Sequence, residues 1–254
     1  MTPGRIFIRR VKTVSAHCIR IDGHEIPFEP GQTLMEAAQA AGVYIPHLCH
    51  HPEFTPHGSC KLCTVKVNGR TCSACTFPAM AGQEVLNDTD ELNATRRRIT
   101  QMLFVEGNHF CPGCEKSGEC QLQAVGYFLG MEETHFPHFF PSRRVDASHP
   151  DLMLDLDRCI LCELCVRASR EADGKGVFEV AGRGLESHLV VNSESGLLGD
   201  TPMTISDRAA QVCPVGAILI KRTAFRHPIG ERRYDQADIA GEPLKEPLLE
   251  TPHG

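Results

Sequence analysis

Thirteen cysteines stand in this 254-residue sequence, and most fall into three groups whose spacing suits metal chemistry. The tightest group is Cys159-x2-Cys162-x2-Cys165. A tripled CxxC lets one loop turn three thiolates toward one face of a four-iron, four-sulfide cubane. In a two-cluster ferredoxin the run would continue with x3-Cys-Pro. Here Ser169-Arg170 occupy that place, so the fourth thiolate must come from far along the chain. Cys213, followed by Pro214, is the candidate. Zinc folds favour paired rather than tripled CxxC spacing, which sets a zinc reading aside for this group.

The second group is His109-x-Cys111-x2-Cys114-x5-Cys120. Three thiolates are one short of a cubane's four ligands, and a neutral imidazole nitrogen can supply the fourth. His109 lies beside the triplet and follows the helix-ending Gly107-Asn108, and no spare downstream cysteine is left for the site. An imidazole adds no negative charge, so such a cluster should be easier to reduce than an all-thiolate one.

The third group is Cys49, Cys60 and Cys63 with Cys72 or Cys75. A [2Fe–2S] cluster needs four thiolates converging from one loop and a nearby strand end. Gly58 in the Gly58-Ser59-Cys60-Lys61-Leu62-Cys63 loop permits close backbone approach. The competing reading is zinc, held by the pairs Cys60-x2-Cys63 and Cys72-x2-Cys75, with Cys49 left over. A hairpin turning at Asn68-Gly69 pairs Val67 with Arg70, Val65 with Cys72 and Cys63 with Ala74. Cys72 then shares a face with Val65 as a small strand residue, and Cys75 falls beside the loop. Cys18 and Cys72 are left over, each as a small apolar residue in a strand.

The net charge of −6 gives no basic surplus for nucleic acid. No apolar run approaches the ~18 residues of a membrane span. Arg9-Arg10 is not followed by the apolar stretch of an export signal, so the cysteines read as ligands in a cytoplasmic protein rather than as disulfides.

The elements that must hold the ligands are short. Residues 18–28 alternate about Asp22-Gly23 as a hairpin, Thr33 caps a helix that runs to Ala41 with Gly42 after it, and Thr64–Val67 pairs with Arg70–Cys72. Asp90–Glu106 reads as a helix with Leu92, Ile99, Met102 and Leu103 inward and Arg96, Arg97 and Arg98 solvated. Arg143-Arg144 also reads as solvated. A helix follows from about Glu119 to Leu129. Residues 132–150 read as a connector without regular structure. Then come a strand at Leu152–Leu156, a helix at Glu163–Glu171, strands at Val177–Val180 and Leu189–Val191, and a short helix capped by Ser206. The tail from Arg226 is charged and Pro-rich, and Ile229, Tyr234, Leu244, Leu248 and Leu249 read as anchors for a partner. The fold class is α+β, with divisions at 1–88, 89–131, 132–151, 152–224 and 225–254.

Gly31-Gln32-Thr33-Leu34-Met35-Glu36-Ala37-Ala38, Ile45-Pro46-His47-Leu48-Cys49 and Gly58-Ser59-Cys60 resemble a β-grasp [2Fe–2S] ferredoxin domain. The cysteine spacing is similar to the variant in the large iron–sulfur subunit of respiratory complex I. Asn108-His109, Cys111-Pro112 and Cys114-Glu115-Lys116-Ser117-Gly118-Glu119-Cys120 resemble that family's one-His, three-Cys [4Fe–4S] motif. One residue separates His109 from Cys111, where that motif usually has three. The domain order also resembles formate dehydrogenase α-subunits and iron-only hydrogenases.

Gly107–Cys111, Pro228–Asp235 and the chain length look most like the diaphorase iron–sulfur subunits of soluble NAD-reducing [NiFe]-hydrogenases. That resemblance implies one [2Fe–2S] and two [4Fe–4S] clusters. It also implies three partners: an FMN- and NAD-binding flavoprotein and the small and large hydrogenase subunits, in a heterotetramer. No dinucleotide fingerprint or Walker loop is visible; Ala181-Gly182-Arg183-Gly184 reads as a turn. The expected role is thus an electron relay without a substrate-converting site. The alternatives are the equivalent subunit of an NAD-dependent formate dehydrogenase or complex I-like enzyme and, from another class, a zinc-stabilised scaffold.

Overall fold

The computed structural model describes residues 17–244; the Arg9-Arg10, Leu248 and Leu249 readings lie outside them. The chain begins with β1 (Cys18–Ile21) and β2 (His24–Pro27), an antiparallel pair that buries Ile19, Ile21 and Ile26 by period-two alternation. Asp22 and Gly23 take φ of 49° and 85°, the left-handed pair that a tight primed turn requires. Helix α1 (Leu34–Ala40) starts with a reciprocal cap, in which Thr33 Oγ1 accepts from Glu36 N and Glu36 accepts from Thr33 N. It buries Leu34, Met35, Ala37 and Ala38.

Strands β3 (Thr64–Val67) and β4 (Arg70–Ser73) form the expected second hairpin, with Val65 opposite Cys72. Strand β5 (Glu84–Leu86) inserts between the hairpins, giving a sheet in the order β2-β1-β5-β3-β4. Only the β1–β5 pair is parallel. One helix on a mixed five-stranded sheet gives this region its own core.

Helix α2 (Asp90–Glu106) is capped by Thr89 Oγ1, which accepts from Leu92 N, and ends at Gly107. Its buried face differs from the expected one. The inward stripe is Leu92, Arg96, Thr100 and Phe104, while Met102 is 55% exposed. Arg96 is therefore a core residue at 2% exposure, not a solvated one. Hydrophobic periodicity misses it because a guanidinium joins a core only where acceptors await it.

Helix α3 (Gln121–Phe128) packs with α2 over a core that also takes Leu48, Leu62, Val215 and Ala217. Leu48 and Leu62 are neighbours of cysteines in the first region, and Val215 follows Cys213 in the last. The chain's three cysteine-bearing regions thus share apolar contacts.

In the remaining part β7 (Leu152–Asp155) lies between β10 (Ile218–Ile220) and β6 (Val145–Asp146). Strand β6 lies in the stretch read as irregular; two residues are too few to show a period. Helix α4 (Leu164–Glu171) and the β8–β9 pair (Phe178–Ala181, His188–Val191) complete this core with α5 (Arg208–Gln211). Asp207, not Ser206, precedes α5. Its first N–H groups, from Arg208 and Ala209, are satisfied across space by Asp173.

Residues from Arg226 to Leu244 form no helix or strand, but part of this stretch packs on the chain itself. Tyr234 N donates to Gly118 O at 3.0 Å, and Ile239 joins the core beneath α3. Ile229 remains 86% exposed.

Candidate iron–sulfur sites

The first ligand group sits where the loop before β3 meets the end of β4. Cys60 N donates to Cys49 Sγ at 3.5 Å, and Cys63 Sγ lies 3.3 Å from Cys75 Sγ. The four thiols thus form two adjacent pairs, as two bridged irons would require. Hydrogen bonds from Cys60 hold the Cys49 thiol down to about 4 against the opposing effect of burial, while Cys60 is pushed up. Gly58 has φ of 73°, and a Cβ there would lie 3.1 Å from Thr76 Cγ2 and 4.0 Å from Cys75 Sγ. Close approach therefore needs glycine. Cys72 lies in β4 opposite Val65, outside these pairs.

Arg96 fixes this loop from beneath. Its Nε donates to Leu62 O at 3.0 Å and Nη2 to Thr64 O at 2.9 Å, so the two carbonyls flanking Cys63 share one guanidinium. Nη1 and Nη2 also reach Asn87 O and Asn87 Oδ1, both at 2.8 Å.

The second group closes around a small hollow lined by His109, Cys111, Cys114 and Cys120 with Phe104, Arg158 and Gly216. His109 Nε2 is buried there and, among the described residues, has no hydrogen-bond partner. An orphaned buried imidazole nitrogen is costly unless something absent from the protein atoms takes its lone pair. Burial first, and then Arg158 and Arg143, push the His109 pKa down to about 4, which keeps the ring neutral as a ligand must be. The Phe104 ring holds it edge-on at 5.6 Å between centroids. A Cβ on Gly216 would sit 3.2 Å from Cys114 Sγ, and one on Gly107 would sit 2.7 Å from His109 Nε2.

The third hollow is lined by Cys159, Cys162, Cys165 and Cys213 with Ile160, Leu161 and Pro214. Leu161 and Glu163 hold φ of 51° and 57°, which folds the CxxCxxC loop around one point. Both are unusual for non-glycine residues, and such outliers persist where the surroundings enforce them. Burial pushes the Cys159 thiol up to about 11, and Cys162 and Cys165 further above the ordinary thiol range. Burial pushes Cys120 in the second hollow up to about 12. Thiols buried this deeply ionise only against a strong positive charge, which iron would provide. Among the described residues no three His, Cys, Asp or Glu side chains gather as one mononuclear ion would need. The four donors lining each hollow, thiolates with or without one neutral imidazole, fit an iron–sulfur cluster.

Sequence reasoning missed three arginines: Arg96, Arg158 and Arg167. Arg158 Nη1 lies 3.7 Å from Cys114 Sγ while the residue itself precedes Cys159. Arg143, by contrast, is exposed as expected. The only hint in the sequence was adjacency: Arg158 and Arg167 flank the CxxCxxC run.

Three family models match in the same order. They are a 2Fe-2S iron-sulfur cluster binding domain at residues 17–90, the NADH-ubiquinone oxidoreductase-G iron-sulfur binding region at 96–135, and a 4Fe-4S single cluster domain at 152–220. The NAD-reducing hydrogenase HoxS subunit gamma of Cupriavidus necator is 42% identical over 89% of this chain and 97% of its own length. The chain belongs to this hydrogenase-subunit family. A crystal structure of NAD+-reducing [NiFe]-hydrogenase in the H2-reduced state contains a chain that superposes with a TM-score of 0.87. That chain is 54% identical, and the match covers 89% of this chain and 97% of the other. The mitochondrial NADH-ubiquinone oxidoreductase 78 kDa subunit of Candida albicans is 30% identical over 87% of this chain, which spans only 31% of that larger protein. This member of the hydrogenase family is thus a mixed α+β iron–sulfur subunit of an oxidoreductase. Among the described residues no helix is long and apolar enough to cross a membrane.

Proposed function

We propose that this chain relays electrons through three clusters between a hydrogenase module and a flavin module in a cytoplasmic heterotetramer. The net reaction is H2 + NAD+ = NADH + H+. When bound, the clusters supply one-electron centres between a two-electron metal site and a two-electron flavin. Cys49, Cys60, Cys63 and Cys75 hold a [2Fe–2S] cluster. His109, Cys111, Cys114 and Cys120 hold one [4Fe–4S] cluster, and Cys159, Cys162, Cys165 and Cys213 hold the other. The partners are an FMN- and NAD-binding flavoprotein and the small and large [NiFe] subunits, which carry the catalytic centres. The ligand-bearing regions are divided at 1–88, 89–131 and 152–224.

The observation that carries this reading is the contact between the three ligand nests. Arg167 Nη2 donates to both Cys49 O and Cys162 O, and Arg158, the residue before Cys159, reaches Cys114 Sγ at 3.7 Å. The CxxCxxC loop thus has a polar contact with each of the other two nests, and those contacts support the order [2Fe–2S], four-cysteine cubane, His-ligated cubane from the flavin side. This chain's own residues hold the clusters, exclude water from them and fix their spacing.

Iron and acid-labile sulfide content of the purified chain tests the ligand sets, with about ten of each and no zinc expected. Zinc without sulfide would overturn the relay. Freeze-quench spectroscopy of a Cys162→Ser variant tests the order: full-rate reduction of the His-ligated centre from NADH would refute it. Co-purifying nickel supports the hydrogenase assignment, whereas molybdenum or tungsten would move the chain to a formate dehydrogenase.

A further inference from the structure

Helix α4 leaves the four-cysteine loop and turns one arginine inward, two residues past Cys165. Arg167 is 7% exposed. Its Nη2 donates to Cys49 O at 2.5 Å and to Cys162 O at 3.2 Å, Nη1 to Thr55 O at 2.9 Å, and Nε to Glu163 O at 3.3 Å. All four acceptors are main-chain carbonyls. Among the described residues no carboxylate forms an ion pair with it. Arg158 differs, because Asp155 and Glu115 both pair with it and offset its charge. A buried guanidinium with only carbonyl dipoles around it is left without a compensating anion, a costly arrangement unless negative charge lies close by. The two residues whose carbonyls share its Nη2 belong to two different ligand sets.

We propose that Arg167 is the shared counter-charge of the [2Fe–2S] cluster and the four-cysteine cubane, holding both reduction potentials up. The inference rests on the cluster assignment above. Four thiolates outweigh the positive charge of either oxidised iron–sulfide core, so each site is already anionic before reduction. Reduction adds one electron to it, taken from the neighbouring donor, with no proton transferred. A fixed cation nearby stabilises the reduced form more than the oxidised one and so favours uptake. The His109 nest, which Arg167 does not touch, should be indifferent to it. The same fork ties the Cys49 and Cys162 loops together, so one side chain sets both the spacing and the charge between two adjacent centres.

Potentiometric titration of the purified whole complex, followed by paramagnetic resonance of each reduced cluster, tests this. The unaltered protein comes first: absence of three cluster signals there would sink the cluster assignment rather than the role of Arg167. In R167Q the midpoints of the [2Fe–2S] cluster and the four-cysteine cubane should both fall while the His-ligated midpoint stays. R167K, which keeps the charge but not the fork, should hold both near the native values. R167M, which fills the same space with no donor unpaired, serves as the second neutral variant. Unchanged midpoints in a fully loaded R167Q or R167M would overturn the proposal, as would an equal fall in R167K. If both neutral variants lose the two clusters while R167K retains them, the charge is needed for loading and the proposal stands. Loss in R167K as well would show that only the fork matters and would overturn it.

Discussion

Replacing Arg96 by alanine removes a guanidinium that makes five hydrogen bonds, to Leu62 O, Thr64 O, Asn87 O, Asn87 Oδ1 and Asn93 Oδ1. The three main-chain carbonyls lose this donor, and each orphaned buried acceptor costs about 1–3 kcal/mol. Part of that is offset, because the guanidinium is no longer desolvated and water can enter the space it leaves. With three such acceptors and that offset, the net cost expected is about 3–5 kcal/mol. The loss should be local, since the bonds tie α2 to β3 and to the residues on either side of Cys63. Native-state hydrogen exchange of the β3 amides reads it directly. At about 1.4 kcal/mol per tenfold, their protection should fall about a hundred- to several-thousand-fold. The [2Fe–2S] signal should also bleach first in denaturant. A change in β3 protection smaller than tenfold would refute the reasoning. So would an equal loss in α4, which would mean that the bonds support the whole chain rather than this loop.

Other predictions test the sites separately. His109→Ala should lower iron content from about ten to about six per chain, whereas His109→Cys should restore the cubane at a lower potential, because a thiolate adds negative charge; resonance spectra and iron analysis decide both. Cys72→Ala should keep the full iron content and Cys75→Ala should lose the [2Fe–2S] signal, since Cys75 Sγ lies 3.3 Å from Cys63 Sγ while Cys72 lies in β4 opposite Val65. Gly216→Val should disturb the His-ligated signal alone, because even a Cβ there meets Cys114 Sγ at 3.2 Å. His50 is buried, with Nδ1 unpartnered among the described residues, and burial followed by the neighbouring His47 pushes its pKa down to about 4 from 6.5. The unfolded chain therefore binds the proton more tightly, and stability should fall as pH drops from about 6.5 towards 4, by up to about 1.4 kcal/mol per unit. Thermal unfolding of His50→Asn should show a flatter dependence over that window.

The β1–β2 and β3–β4 hairpins were legible in the sequence because Asp22-Gly23 and Asn68-Gly69 fix turn type, and turn type fixes register. That register alone separates Cys75 from Cys72. Helix α2 was legible in extent, from Thr89 to Gly107, but not in facing. A periodicity count scores arginine as polar wherever it stands, and it cannot know that Leu62 O, Thr64 O and Asn87 would converge on position 96. The strand β6 and the packing of Tyr234 and Ile239 against the α3 region carry no local signal either. Each exists only because a distant segment offers a partner.

The chemistry of the ligands was written into spacing. CxxCxxC, the Cys111–Cys120 run and the Cys49–Cys63 loop place donors near one another whatever the rest of the chain does, because a short loop limits how far its ends can part. Tertiary structure alone decided the relation between the three nests. Cys213 joins a loop fifty residues upstream only through the β7–β10 pairing, and the Cys49 and Cys162 carbonyls share a guanidinium only because α4 packs against the first loop. Phe104, Leu122 and Arg158 close around His109 and leave it a buried nitrogen with no partner among the described residues. Burial and charge compensation are sums over neighbours in space, so a one-dimensional pattern can name the ligands but not the field around them.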